Sequence, residues 1–182
     1  MIESSAPVLL ERRDLRNATD LLAERVRLGP EHAAFQVRRG DAWQDVRTRE
    51  FADEVVRLAR GLLAAGVAAG DAVVLMAATR YEWAVADLAS WYAGGVVVPV
   101  YPTSSVAQAA AILADVAPVL AIVGGSAERE VLRVAAERAG RGPLPIWSMD
   151  PQPGEDLADL AARGADVADA AVEERRQLAG PD

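Results

Sequence analysis

Cysteine is absent from these 182 residues, and so is lysine: all 19 basic residues are arginine. Without cysteine there can be no disulfide, thiolate metal site or cysteine nucleophile. Without lysine, no reaction that needs a lysine side chain can be completed by this chain alone. The single histidine, His32, leaves no second imidazole to build a metal site. No stretch approaches the roughly 18 apolar residues of a membrane span. The start, MIESSAPVLLERRDL, has a short apolar patch but neither the basic opening nor the long apolar run of a signal peptide. A cytoplasmic location is therefore expected, with no transmembrane segment.

What is present is ordinary for a globular protein that buries a core. Hydrophobic residues make up 52% of the chain and charged residues 25%. Alanine is abundant, and with the missing lysine this fits a GC-rich coding sequence. The absence of lysine from the surface is thus not itself a functional sign. A net charge of −8 argues against nucleic acid or an anionic membrane as main partner. The charge is uneven. Residues 149–182 carry nine acidic groups and three arginines. The turn-rich run from Met149 to Gly154 marks a boundary. Three segments follow: an N-terminal extension over 1–16, an α/β body over 17–148, and an acidic, alanine-rich tail or linker over 149–182. The tail has weak helical periodicity and no aromatic residue, which predicts loosely held helices or disorder.

Within the body, residues 18–28 read as a helix with Asn17 or Thr19 as cap and Gly29-Pro30 as stop. Ala33–Arg38 and Ala42–Val46 read as a hairpin around Arg39-Gly40-Asp41. Thr48 should cap an amphipathic helix burying Phe51, Val55, Leu58 and Leu62, with Asp53 and Arg57 able to pair and Gly66 as stop. From there strands alternate with helices. Val73 to Met76 are four consecutive large apolar residues, as in a strand buried on both faces. Thr79 and Glu82 are spaced as a capping box for the helix that ends at Gly94-Gly95. Val96–Val100 reads as another buried strand. Ser105 and Gln108 form a second box. A strand over 118–123, a helix over 126–139 and a strand over 144–147 complete the pattern. Such alternation predicts an α/β fold, a mainly parallel sheet with helices on both faces, preceded by the hairpin.

Two blocks carry a family resemblance. Trp43-Gln44-Asp45-Val46 followed by Arg49-Glu50-Phe51-Ala52 is an aromatic strand entering a helix. Leu88 to Pro102, LASWYAGGVVVPVYP, is a helix ending at glycine and a strand running into proline. Together they resemble the acyl-adenylate-forming, AMP-binding enzymes. Arg80-Tyr81-Glu82-Trp83 and Tyr101-Pro102-Thr103-Ser104-Ser105 resemble the long-chain fatty acid–CoA ligases in particular. The likeness covers about residues 30 to 150. It departs at Ala72, where the family commonly has arginine. The resemblance implies the N-terminal subdomain of such a ligase, which joins a fatty acid to AMP from ATP and passes the acyl group to coenzyme A. Fatty acid, ATP, Mg and coenzyme A are expected for the full-length enzyme, and none bound by this chain alone. The family's phosphate loop ending Pro-Lys-Gly, its ribose-binding acidic motif and its C-terminal lysine have no counterpart here. Adenylation spreads negative charge over a phosphoryl centre that cations and amides must neutralise. The chain is expected to be an inactive fragment ending short of that loop, lending a scaffold wall and part of a dimer contact.

Other sites are weaker. Gly124-Gly125-Ser126 follows a strand and opens a helix, so its amides could hold an anion, but a simple strand-to-helix turn accounts for it more plainly. His32 reads as a surface residue. Ser104 and Ser105 lack a histidine to act as base. Tyr81, Trp83, Trp91 and Tyr92 could line an acyl pocket, yet at helical spacing they read first as core. Asp87 is a lone carboxylate on an apolar helix and needs a partner, Arg80 or a part of the enzyme not in this chain. No catalytic, cofactor-binding or metal-ligating residue is assigned. Two other functions stay open: a stand-alone interaction or dimerisation module, and a small nucleotide-binding protein. Strands apolar on both faces also predict an uncovered edge and face, and with them self-association.

Overall fold

The computed structural model describes residues 17–178; the 1–16 extension lies outside them. The chain opens with α1 (Thr19–Leu28), then a hairpin of β1 (Ala33–Arg39) and β2 (Ala42–Arg47). Gly40 supplies the positive φ of the turn. The long amphipathic helix α2 (Thr48–Ala64) follows. Thr48 is its first residue rather than its cap: the hydroxyl donates to the His32 carbonyl at 3.1 Å and ties the helix to the hairpin. Arg57 does not pair with the Asp53 carboxylate but donates from Nε to the Asp53 carbonyl at 3.4 Å.

The body is a four-stranded parallel sheet. Its strands are β3 (Ala72–Met76), β4 (Val96–Val100), β5 (Leu120–Val123) and β6 (Ile146–Ser148), in the order β4-β3-β5-β6. The connecting helices are α3 (Tyr81–Tyr92), α4 (Val106–Val116) and α5 (Ser126–Arg138). Alternation along the strands divides the core in two. Val73, Leu75, Leu120, Ile122 and Trp147 join one cluster, with Phe51, Val55, Leu58 and Leu62 of α2 and Val85 and Ala89 of α3. Val74, Met76, Ala121 and Val123 join the other, with Leu113 of α4 and Leu132 of α5. Both faces are therefore covered, and the expected open face does not exist.

One strand departs from its reading. β4 is as apolar as β3, yet it is the edge of the sheet, and Val96 is 53% exposed. The Val96 N–H points inward, to the Asp71 carbonyl at 2.8 Å. In a parallel ladder the amides alternate, so Val97 and Pro99 face outward. Proline is tolerated there because that position needs no donor toward β3.

The segment after 149 departs further. It carries α6 (Leu157–Arg163) and α7 (Asp169–Gln177), and both are docked. Leu160 is fully buried and Val172 nearly so. A Cβ on Gly61 would lie 2.2 Å from the Leu160 carbonyl oxygen, and one on Gly164 would lie 2.5 Å from the Gly61 nitrogen. Two glycines thus let α2 and α6 touch backbone to backbone. Arg60 then binds the Gly164 and Ala165 carbonyls at 3.0 and 2.6 Å. α7 is held by Arg176, a nearly buried guanidinium. It donates to Asp20 and Thr19 of α1 and to Glu173, and lies over the Tyr92 ring.

Candidate functional site

The sheet order reverses between β3 and β5. The helices that leave their carboxyl ends, α3 and α5, pack on opposite faces. In open α/β sheets a ligand crevice forms at such a point. Here it is bounded by the turn before α3 and by Gly124-Gly125. The Thr79–Glu82 capping box does not form. Arg80 takes the cap position in extended conformation, with no side chain capping the helix. Its guanidinium binds Glu82 at 2.6 Å and Asp150 at 2.7 Å. Those two bonds, Glu82 first, hold Arg80 more firmly protonated than usual. Glu82 thus serves Arg80 instead of a threonine cap.

Across the crevice, the Gly125 N–H donates to Glu128 Oε2 at 3.1 Å. A Cβ on Gly125 would lie 2.7 Å from Asp150 Oδ2. Backbone bonds Gly124 N–H to Met76 O (3.0 Å) and Asp150 N–H to Gly124 O (3.0 Å) lace the two sides together. The amide that could have held an anion therefore already holds a carboxylate. Two carboxylates, Glu82 and Asp150, share Arg80, and a third, Glu128, takes the Gly125 amide. In this arrangement the turn at Gly124-Gly125-Ser126 is capped from within the chain.

The remaining candidates fall in separate places. His32 is exposed, and its carbonyl anchors Thr48. Ser105 is a true cap: its Oγ accepts from the Gln108 N–H at 3.3 Å and Gln108 Oε1 accepts from the Ser105 N–H at 2.9 Å. The four aromatic residues of α3 do not converge on a pocket. Tyr81 packs with Phe35 and Phe51, ring centroids 5.3 and 6.0 Å away. Its hydroxyl is buried, and burial, then the nearby Glu54 carboxylate, pushes the phenol well up. Tyr92 donates to the Thr19 carbonyl at 3.3 Å. Trp83 and Trp91 lie half-buried on the outer side of α3. Asp87 stands between them. Burial raises its carboxyl above the ordinary range, and it has no partner among the described residues. Arg80 is committed elsewhere.

A groove of about 1010 Å³ lies between β2, α2 and α7. Six carboxylates and three arginines line it, among them Asp45, Glu54, Arg60 and Asp169, so it suits neither phosphate nor an acyl chain. A smaller apolar groove of about 420 Å³ lies beside the start of β4, against Trp91, Val96 and Leu178. Among the described residues no three of His, Cys, Asp and Glu are grouped as metal ligands, and no helix is long and apolar enough to cross a membrane. Sequence reasoning missed the Arg80–Asp150 bridge, 70 residues apart, and the Arg176 clamp. No local pattern marks either pair.

Known proteins resemble this chain in sequence and in fold. The long-chain-fatty-acid–CoA ligases FadD15 of Mycobacterium bovis and Mycobacterium tuberculosis are each 35% identical to it over 178 residues. Those alignments cover 90% of this chain and 29% of each relative, so the chain spans about three-tenths of their length. The long-chain-fatty-acid-CoA ligase FadD1 of Archaeoglobus fulgidus superposes with a TM-score of 0.69 at 17% identity, over 82% of this chain and 30% of that one. Apo MatB of Rhodopseudomonas palustris gives 0.63 at 23% identity, over 79% and 28%. Both share the fold. The AMP-binding enzyme family matches residues 22–178, nearly all of the described structure, and the chain belongs to that family.

Proposed function

We propose that this chain is the N-terminal part of a long-chain fatty acid–CoA ligase, in which it acts as scaffold and not as reaction centre. The observation that carries this is its 35% identity to the FadD15 ligases through 90% of its length. On this reading the whole protein uses ATP and Mg to join a fatty acid to AMP, then transfers the acyl group to coenzyme A. Its place is the cytoplasm and its role is in lipid metabolism.

By itself the chain is inactive and binds none of these ligands. Acyl-adenylate formation gathers negative charge at a phosphoryl centre, and positioned cations and amides must meet it. The crevice between β3 and β5 offers the opposite: two carboxylates share Arg80, and Glu128 already engages the Gly125 amide. A second reading, a stand-alone interaction or dimerisation module, draws only on the exposed Val96 at the β4 edge.

The test is a chimera in which this chain replaces the matching N-terminal part of the Mycobacterium tuberculosis FadD15 ligase. The chimera should release pyrophosphate when given ATP, Mg, palmitate and coenzyme A, and the isolated chain should not. A folded chimera that makes no acyl-adenylate counts against the ligase reading. Palmitate-dependent release by the isolated chain counts against its inactivity.

A further inference from the structure

The chain enters its described part at the wall of the groove beside β4. Asn17 lines that groove of about 420 Å³ and is fixed there. Its Oδ1 accepts from the Thr19 N–H at 3.0 Å, and its Nδ2 donates to the Arg176 carbonyl at 3.1 Å. Trp91, Val96 and Leu178 line the same groove. Val96 is 53% exposed and Leu178 65%, so the start of β4 and the end of α7 bare two large aliphatic side chains around one hollow. We propose that the N-terminal extension folds back so that its apolar patch, Ala6-Pro7-Val8-Leu9-Leu10, covers this groove and shields the start of the β4 edge.

Connectivity selects this occupant first. Only residues 11–16 separate Leu10 from Asn17. That run spans at most about 25 Å when extended, so the patch stays within reach of the groove. Closing so short a loop costs little chain entropy. Composition agrees. Ala6 to Leu10 carry no charge, while Glu11, Arg12, Arg13, Asp14 and Arg16 suit a solvated turn between patch and groove. In an extended run Val8 and Leu10 share one face and can enter the hollow together. Ala179-Gly180-Pro181-Asp182, which follow Leu178, offer no large apolar side chain for the same place. The need for a cover comes from the edge itself, since an exposed apolar strand edge invites pairing with a second copy. A patch tethered in the same chain acts at a higher effective concentration than that copy.

Hydroxyl-radical footprinting of the full chain, beside a double variant with Val8→Asp and Leu10→Asp, tests this. Trp91, Val96 and Leu178 should label several-fold more in the variant than in the parent, while the exposed Trp43 labels equally in both. Equal labelling of the three groove residues in the two proteins overturns the inference. Parent protection that appears only as its concentration rises also overturns it, since a second copy is then the occupant. If the double variant does not fold, the absence of cysteine allows a second measurement. Leu10→Cys with Val96→Cys should be joined within one chain by a short bifunctional thiol reagent faster than Leu10→Cys with Asp41→Cys at the hairpin tip. Equal rates for the two pairs overturn the inference. Neither readout uses ligase activity, so a failure here leaves the ligase reading untouched.

Discussion

Asp87 shows what half-burying one carboxylate costs. Burial alone raises its carboxyl above the ordinary range. The folded state then holds more protons than the unfolded one between the unfolded and folded values, so stability falls as pH rises through that window. Below it both states are protonated and the penalty vanishes. Asp87→Asn should therefore stabilise the chain at neutral pH, with the gain shrinking toward pH 3. Urea midpoints of both proteins across that range check it, and a gain independent of pH would show that charge is not the cause. Ser105 offers the contrasting case of a polar side chain fully used. Ser105→Ala should cost about 0.5–2 kcal/mol, since it orphans the Gln108 amide. Thr79→Ala should cost almost nothing, because Arg80 and not Thr79 precedes the helix. Chemical denaturation of the pair distinguishes the two boxes that sequence spacing makes look alike.

Among the elements, the α2–α6 crossing and the β4 edge are set by single residues. Gly61→Ala would push a methyl into the Leu160 carbonyl, and backbone cannot move aside as a flexible side chain can. Overpacking of this kind costs about 1–3 kcal/mol. α6 should lift, and proteolysis between 157 and 178 should become faster than in the parent chain. Unchanged proteolysis would mean that α6 shifts without loss. At β4 the expected change runs the other way. Pro99→Val would restore an outward amide beside the Val97 N–H, giving a second chain something to pair with. Light scattering over a concentration series should then show association that the parent chain shows less of or lacks. Equal association would place any self-contact elsewhere than on this edge.

For the whole molecule, the acidic C-terminal segment is the largest departure from expectation. Its few large apolar residues suggested a loose tail, yet Leu160 and Val172 are buried and Arg176 ties α7 to α1 and α3. Arg176→Ala would remove at once the guanidinium that Asp20, Thr19 and Glu173 share. Hydrogen bonds to charged groups contribute about 1.5–3 kcal/mol each, less for the part-exposed Glu173. Release of α7 should follow, seen as rapid amide exchange over 169–177. Slow exchange there would mean that Val172, with the Arg60–Asp169 and Arg175–Val67 contacts, holds the helix without Arg176.

Much of the architecture was determined by the sequence alone, because it is written in local periodicity. Alternating strands and helices, Gly40 at the hairpin turn, the Ser105 box and the stops at Gly66 and Gly94 depend on neighbours a few residues away. The two motif blocks were legible for the same reason, and with them the family. The position of β4 was not, since an edge strand and a central strand can share one apolar composition. Nor was the occupied crevice, in which Arg80 and Asp150 meet only because β3 and β5 lie side by side. The docking of α6 required Gly61 and Gly164, distant in sequence, to face each other across a helix crossing. Only the tertiary structure decided these, because each depends on which distant residues the sheet order and helix crossings bring together, and no local spacing encodes that.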